Sequence, residues 1–141
     1  MRPATIMLPP GDMEAIGIIE FVHGMCEHRN RYNHVLKYFS DKGFICAIAD
    51  IKGHGENVLT PDDYGYFGED GYKGLIQDID DYTTFLKREY PNLPLILIGH
   101  SMGSLLVRGY IKKHSEKIDA LVVCGSPSEN SFTELGKILI R

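Results

Sequence analysis

The sequence predicts an α/β chain, a mostly parallel sheet with helices on both faces. Two features predict it. Short, nearly continuous apolar runs alternate with segments whose apolar residues fall at helical spacing, the pattern of strands buried on both sides. Polar, glycine-containing stretches follow those runs directly, where open parallel sheets form their ligand sites.

In chain order, residues 3–9 are long enough for a short leading strand, which Pro9-Pro10-Gly11 stops. The first strand of the sheet is therefore expected to be incomplete or missing. Residues 16–22 carry Ile16, Ile18, Ile19, Phe21 and Val22, interrupted by Gly17 and Glu20. After a glycine-containing loop, Tyr32, Val35, Leu36 and Phe39 predict a helix over 30–41, and residues 44–49 a second buried strand stopped by Asp50. A polar, glycine-rich stretch runs over 52–71. Tyr72, Leu75, Ile76, Ile79, Tyr82, Phe85 and Leu86 then predict a helix with one buried stripe, ended by Pro91. Residues 93–98 read as a strand, and 101–114 as a helix burying Leu105, Leu106, Tyr110 and Ile111. Residues 118–124 form the last apolar run, and Phe132, Leu135, Ile138 and Leu139 suggest one more helix.

Composition bounds the function. The 141 residues make at most one domain, long enough to bury a core. A net charge of −4 and a pI near 5.8 argue against a nucleic-acid partner. No apolar run is long enough to span a bilayer, and the start lacks a signal-length apolar stretch. The three cysteines, Cys26, Cys46 and Cys124, are odd in number and lack metal-type spacing. Cys46 and Cys124 lie inside apolar runs and are expected to be buried free thiols, which sets a reducing, cytoplasmic location as the default.

The sharpest chemical signal is Gly99-His100-Ser101-Met102-Gly103, directly after one strand and before a helix. A serine on such a turn sits in strained backbone with its hydroxyl exposed above the sheet edge. Neighbouring chain crowds the turn, so the positions two before and two after need almost no side chain. The helix start also turns N–H groups toward a developing oxyanion. His23-Gly24-Met25 follows the 16–22 strand, and a turn there can present a backbone N–H beside the nucleophile. Ser101 is thus the candidate nucleophile, with the N–H groups of Met25 and Met102 as oxyanion donors. His23, Gly24 and His100 are candidate binding residues, His23 as a loop anchor that bonds backbone rather than moves protons. Asp50-Ile51-Lys52-Gly53-His54-Gly55 lies past a third strand end, with His54 expected to hold the turn.

With those residues set out, the chain resembles the α/β-hydrolase superfamily. Within it, the chain is most similar to the monoacylglycerol lipase and lysophospholipase branch, grouped with serine aminopeptidases. The matching stretches are His23-Gly24-Met25-Cys26-Glu27-His28 with Arg31-Tyr32, Asp50-x-x-Gly53-His54-Gly55, Asp78-Ile79-Asp80-Asp81 and the serine motif, spanning roughly residues 16–127. Cys26 stands where a small residue is usual, Glu56-Asn57 replaces a frequent serine, and Ser104 replaces a frequent third glycine. The resemblance implies a serine hydrolase of a carboxylic ester, lipid-like in the manner of a monoglyceride or lysophospholipid, with no metal and no cofactor. It implies an α/β-hydrolase fold, here truncated before its last strands. Residues 1–126 would be the N-terminal part of the core and 127–141 the start of a cap, through which peripheral membrane contact is expected.

The triad order in this fold is serine, acid, histidine, and only 40 residues (141 − 101) follow Ser101. Their one histidine, His114, lies 13 positions on, about 20 Å along a helix and far outside the roughly 3 Å reach of a base. His23, His28 and His54 precede the serine and would need unusual geometry. The acid and base are expected beyond Arg141, the chain alone is expected to be nearly inactive, and its unpaired sheet edge is expected to self-associate. Four competing readings stand beside this one. A non-catalytic binding protein could keep the serine turn, and a peptidase or thioesterase could share the fold. A nucleotide-binding module fails because Val58 stands where Gly53-His54-Gly55 would need its third glycine. A metal site from Cys26, Glu27, His28 and His54 suffers from adjacent ligands.

Overall fold

A computed structural model describes residues 3–128 of the chain. The helix expected over 132–139 and nearly all of the expected cap lie outside the described residues. Five strands form one sheet in the order β1-β3-β2-β4-β5: β1 is Ala4–Met7, β2 Gly17–Val22, β3 Phe44–Ala49, β4 Leu95–His100 and β5 Ala120–Cys124. The leading strand, expected to be incomplete or missing, is present as four residues, and it is the antiparallel member, pairing Ala4 with Ala49 and Met7 with Cys46. All other pairings are parallel.

Three helices cross over between the parallel strands: α1 (Asn33–Ser40), α2 (Gly71–Glu89) and α3 (Met102–His114). The side-chain period of two along β2 divides the core between the two faces. Ile19 and Phe21 pack with Leu36 of α1, Cys46 and Ile48. Ile18 and Val22 pack on the other face with Leu75, Ile79 and Leu86 of α2 and Leu106, Val107 and Tyr110 of α3. The helix expected over 30–41 is shorter than its apolar spacing suggested, because a 3₁₀ turn, Arg29–Tyr32, leads into it. In α3 the buried side is Gly103, Leu106, Val107 and Tyr110, the i, i+3, i+4, i+7 stripe. Leu105, expected inside, faces out at 40% exposure while Ile111 packs at the rim.

A further expectation fails at Cys124. Cys46 is buried, its thiol pushed up to about 12 by desolvation, but Cys124 is exposed. Strand β5 is outermost among the described strands, paired with β4 alone. Its apolar run therefore lacks the second neighbour that a central strand would have, and Val122 and Val123 are exposed as well.

The strand order places the functional end. The chain winds from β2 to β3 on one side, then returns through α2 to β4 on the other side of β2. The winding reverses at β2, and the carboxyl ends of strands at such a reversal are where open α/β sheets place their ligand sites.

Candidate active site

Residue 101 occupies the bend between β4 and α3. Ser101 has φ 52° and ψ −119°, and among the described residues only it and Cys26 are non-glycines at positive φ. Such a conformation costs on the order of 1–3 kcal/mol and persists only where surrounding contacts enforce it. The surroundings are visible. The Ser101 N–H donates to the Cys124 carbonyl at 2.9 Å, continuing the β4–β5 ladder that pairs His100 with Cys124. The Ser101 carbonyl accepts from the Ser104 N–H at 3.0 Å and from the Ser104 hydroxyl, so Ser104, standing where a third glycine is frequent, supplies an extra tie to the turn.

The glycines two before and two after are required sterically. A Cβ at Gly99 would sit 2.6 Å from Val107 Cγ2, against the first turns of α3. A Cβ at Gly103 would land on the carbonyl oxygens of Val22 and His23, the end of β2. Helix α3 therefore starts against the carboxyl end of β2, which brings the loop after β2 to Ser101. A Cβ at Gly24 would lie 3.0 Å from Ser101 Cβ and 3.4 Å from the His100 carbonyl. Met25 and Met102 follow Gly24 and Ser101 directly in the chain, and their N–H groups have no backbone partner among the described residues.

His23 is fully buried and both ring nitrogens are engaged. Nε2 accepts from the Ile51 N–H at 3.0 Å, which puts the proton on Nδ1, facing the Gly24 carbonyl at 2.8 Å. Desolvation holds its pKa below the ordinary value, against the pull of the Gly24 bond. It ties the loop after β2 to the loop after β3. His54 packs against the His23 ring, stacks on Phe67 and bonds the Lys52 carbonyl. His28 is exposed. His114 pairs with Asp80 at 3.2 Å and stacks on Tyr110 at the far end of α3. No histidine among the described residues bonds the Ser101 hydroxyl.

Two carboxylates that sequence reasoning left without a role hold the loops together. Asp50, at 1% exposure, accepts from the Arg29 N–H at 2.7 Å and the Glu56 N–H at 3.0 Å, and pairs with the Arg29 guanidinium. Its signal was a charge ending an apolar strand just before a glycine-rich turn. Gly55, at φ 56°, abuts it so closely that any side chain would collide with the carboxylate. Glu27 accepts from the Gly24 N–H, the Tyr32 hydroxyl and the His100 ring. Nothing in the sequence spacing revealed that convergence.

Comparison with known proteins agrees with this fold. Residues 13–134 match the family described as serine aminopeptidase, S33. The chain is similar to a monoacylglycerol lipase of Mycolicibacterium smegmatis, 28% identical over 133 residues, which cover 92% of this chain and 44% of that protein. It is similar to the human monoglyceride lipase, 28% identical over 101 residues, 70% of this chain and 30% of that protein. The crystal structure of a thermostable carboxyl esterase from Bacillus coagulans in complex with glycerol superposes with a TM-score of 0.83 at 34% identity, covering 97% of this chain and 43% of that one. The chain thus spans less than half the length of these relatives.

Proposed function

The chain belongs to the serine aminopeptidase S33 family of α/β-hydrolases, and from that premise we propose that it supplies the nucleophile and the oxyanion hole of a serine hydrolase that cleaves a lipid-like carboxylic ester. The observation that carries the proposal is the positive φ of Ser101 at a strand-to-helix bend against Gly24. A lipase or esterase reading is supported by the monoacylglycerol lipases and the carboxyl esterase among the similar proteins, and a monoglyceride or lysophospholipid is the substrate class proposed.

In the proposed reaction the Ser101 hydroxyl oxygen attacks the ester carbonyl carbon. Its proton passes to a histidine outside these 141 residues and then to the departing alcohol. The tetrahedral oxyanion is held by the Met25 and Met102 N–H groups, and removing one such donor typically costs about 100- to 1000-fold in rate. Water hydrolyses the acyl-serine by the same steps, restoring the hydroxyl. The chain alone, lacking the base, is expected to fall roughly a millionfold short in turnover. No helix among the described residues is long and apolar enough to cross a membrane.

The test is hydrolysis of monoacylglycerols and lysophospholipids by a polypeptide that carries this chain together with an acid and a histidine. Release of fatty acid that Ser101→Ala abolishes is the expected result; release that survives Ser101→Ala refutes the proposal. A peptidase is the second reading, favoured by the family's description and by 28% identity over 99 residues to a proline iminopeptidase of Saccharolobus solfataricus. Cleavage of an N-terminal proline amide in preference to the esters decides for it.

A further inference from the structure

Glu27 lies in the loop between β2 and α1 and takes no part in the steps above. Its Oε2 atom accepts three hydrogen bonds, from the Gly24 N–H at 2.7 Å, the Tyr32 hydroxyl at 2.9 Å and His100 Nδ1 at 3.1 Å. The other oxygen has the Arg31 guanidinium 4.0 Å away, at the surface. The three donors belong to three pieces of structure: the turn beside Ser101, the 3₁₀ turn before α1, and the last residue of β4. Gly24 is squeezed between the carboxylate and the serine, since a Cβ there would sit 2.9 Å from Oε2 and 3.0 Å from Ser101 Cβ.

Resting on the reading of Ser101 as nucleophile, we propose that Glu27 is a positioning residue: its carboxylate pins the Gly24–Met25 turn to His100 and so sets the distance between the oxyanion donor and Ser101. The side chain at position 100 thereby gains a role beyond filling the serine motif, because it ties the elbow to the loop opposite. The environment keeps the acceptor charged. Burial works against ionisation of Glu27, but the bonds from Gly24, His100 and Tyr32 outweigh it and hold the carboxyl below its ordinary range. Burial and the Glu27 carboxylate raise the Tyr32 phenol, so it stays a donor. Bonds to an ionised acceptor are roughly twice as strong as neutral ones, and a misplacement of about 1 Å at a site can cost on the order of 100-fold in rate.

The test pairs ester kinetics on the polypeptide carrying this chain with its acid and base, and amide hydrogen exchange at Gly24 in this chain. Glu27→Gln should lower kcat about tenfold or more while KM moves less than about threefold, the pattern of an interaction that matters in the transition state. Exchange at Gly24 should quicken about tenfold or more as the charged acceptor is lost. Tyr32→Phe, which leaves the carboxylate on Gly24, should lose less of each. A folded Glu27→Gln protein with parental kcat, or with unchanged exchange at Gly24, overturns the proposal. If Glu27→Ala fails to fold, Glu27→Gln carries the test. Turnover that persists in Ser101→Ala refutes the nucleophile reading instead, and exchange at Gly24 still decides whether Glu27 pins the turn.

Discussion

Replacing Glu20 by glutamine should abolish most of the stability loss that this protein suffers on going from acid to alkaline pH. Glu20 sits in the middle of β2 at 1% exposure, its Oε2 accepting from the Thr83 hydroxyl of α2 at 2.7 Å. Desolvation pushes its carboxyl from 4.5 up to about 8; the Thr83 bond opposes this and the charge of Asp80 adds to it. Below pH 4.5 folded and unfolded chains both hold the proton. Between 4.5 and about 8 the folded chain keeps a proton that the unfolded chain has released, so stability falls as pH rises, and above about 8 the loss is complete. At about 1.4 kcal/mol for each pH unit, the loss reaches roughly 3 kcal/mol at pH 7 and at most roughly 5 kcal/mol by pH 9. That is a large part of the ~5–15 kcal/mol that holds a typical domain together. Urea unfolding of the parent and Glu20→Gln proteins at pH 5, 7 and 9 measures it. The two should have similar stability at pH 5, and the variant should lead increasingly at pH 7 and 9. Parallel stability profiles would refute the reasoning, since they would mean that Glu20 folds already ionised.

Gly103→Ala should push α3 off the end of β2, because the new Cβ meets the Val22 and His23 carbonyls; thermal unfolding should show a loss of about 1–3 kcal/mol or more, and ester turnover should fall on the order of 100-fold. Cys26→Gly should do the opposite for stability. Its φ of 59° costs a non-glycine about 1–2 kcal/mol, of which glycine's extra chain entropy returns roughly 0.5–1 kcal/mol, so calorimetry should show a small rise in Tm and an unchanged Tm would count against strain there. The exposed apolar residues of β5, whose outer edge pairs with no other described strand, should make this chain associate in size-exclusion chromatography, and a monomer at all concentrations would count against that.

The parallel sheet was legible because buried strands between helices leave uninterrupted apolar runs, and residues 44–49 became β3 without adjustment. The serine bend was legible for a steric reason: Gly99 and Gly103 stand where the fold has no room for a Cβ. The place of His23 directly after a strand is where a ring can bond two neighbouring loops, as it does at Gly24 and Ile51. What the sequence could not give was position within the sheet. The apolar run ending at Cys124 looks like that of a central strand, yet β5 is outermost among the described strands. Neither could spacing along the chain show that Glu27 would meet His100, 73 residues away, or that Glu20 would meet Thr83 across α2. Such pairings arise only when strand order is set, and one sequence does not set it.

The proposed catalysis requires the Ser101 hydroxyl to face two backbone amides, and one structure tests that directly. A fluorophosphonate adduct should be solved for the polypeptide that carries this chain with its acid and histidine. The prediction is phosphorus bonded to Ser101 Oγ, with one phosphonyl oxygen about 3 Å from both the Met25 and the Met102 nitrogens. An adduct on another residue, or an oxygen directed away from those amides, would contradict it.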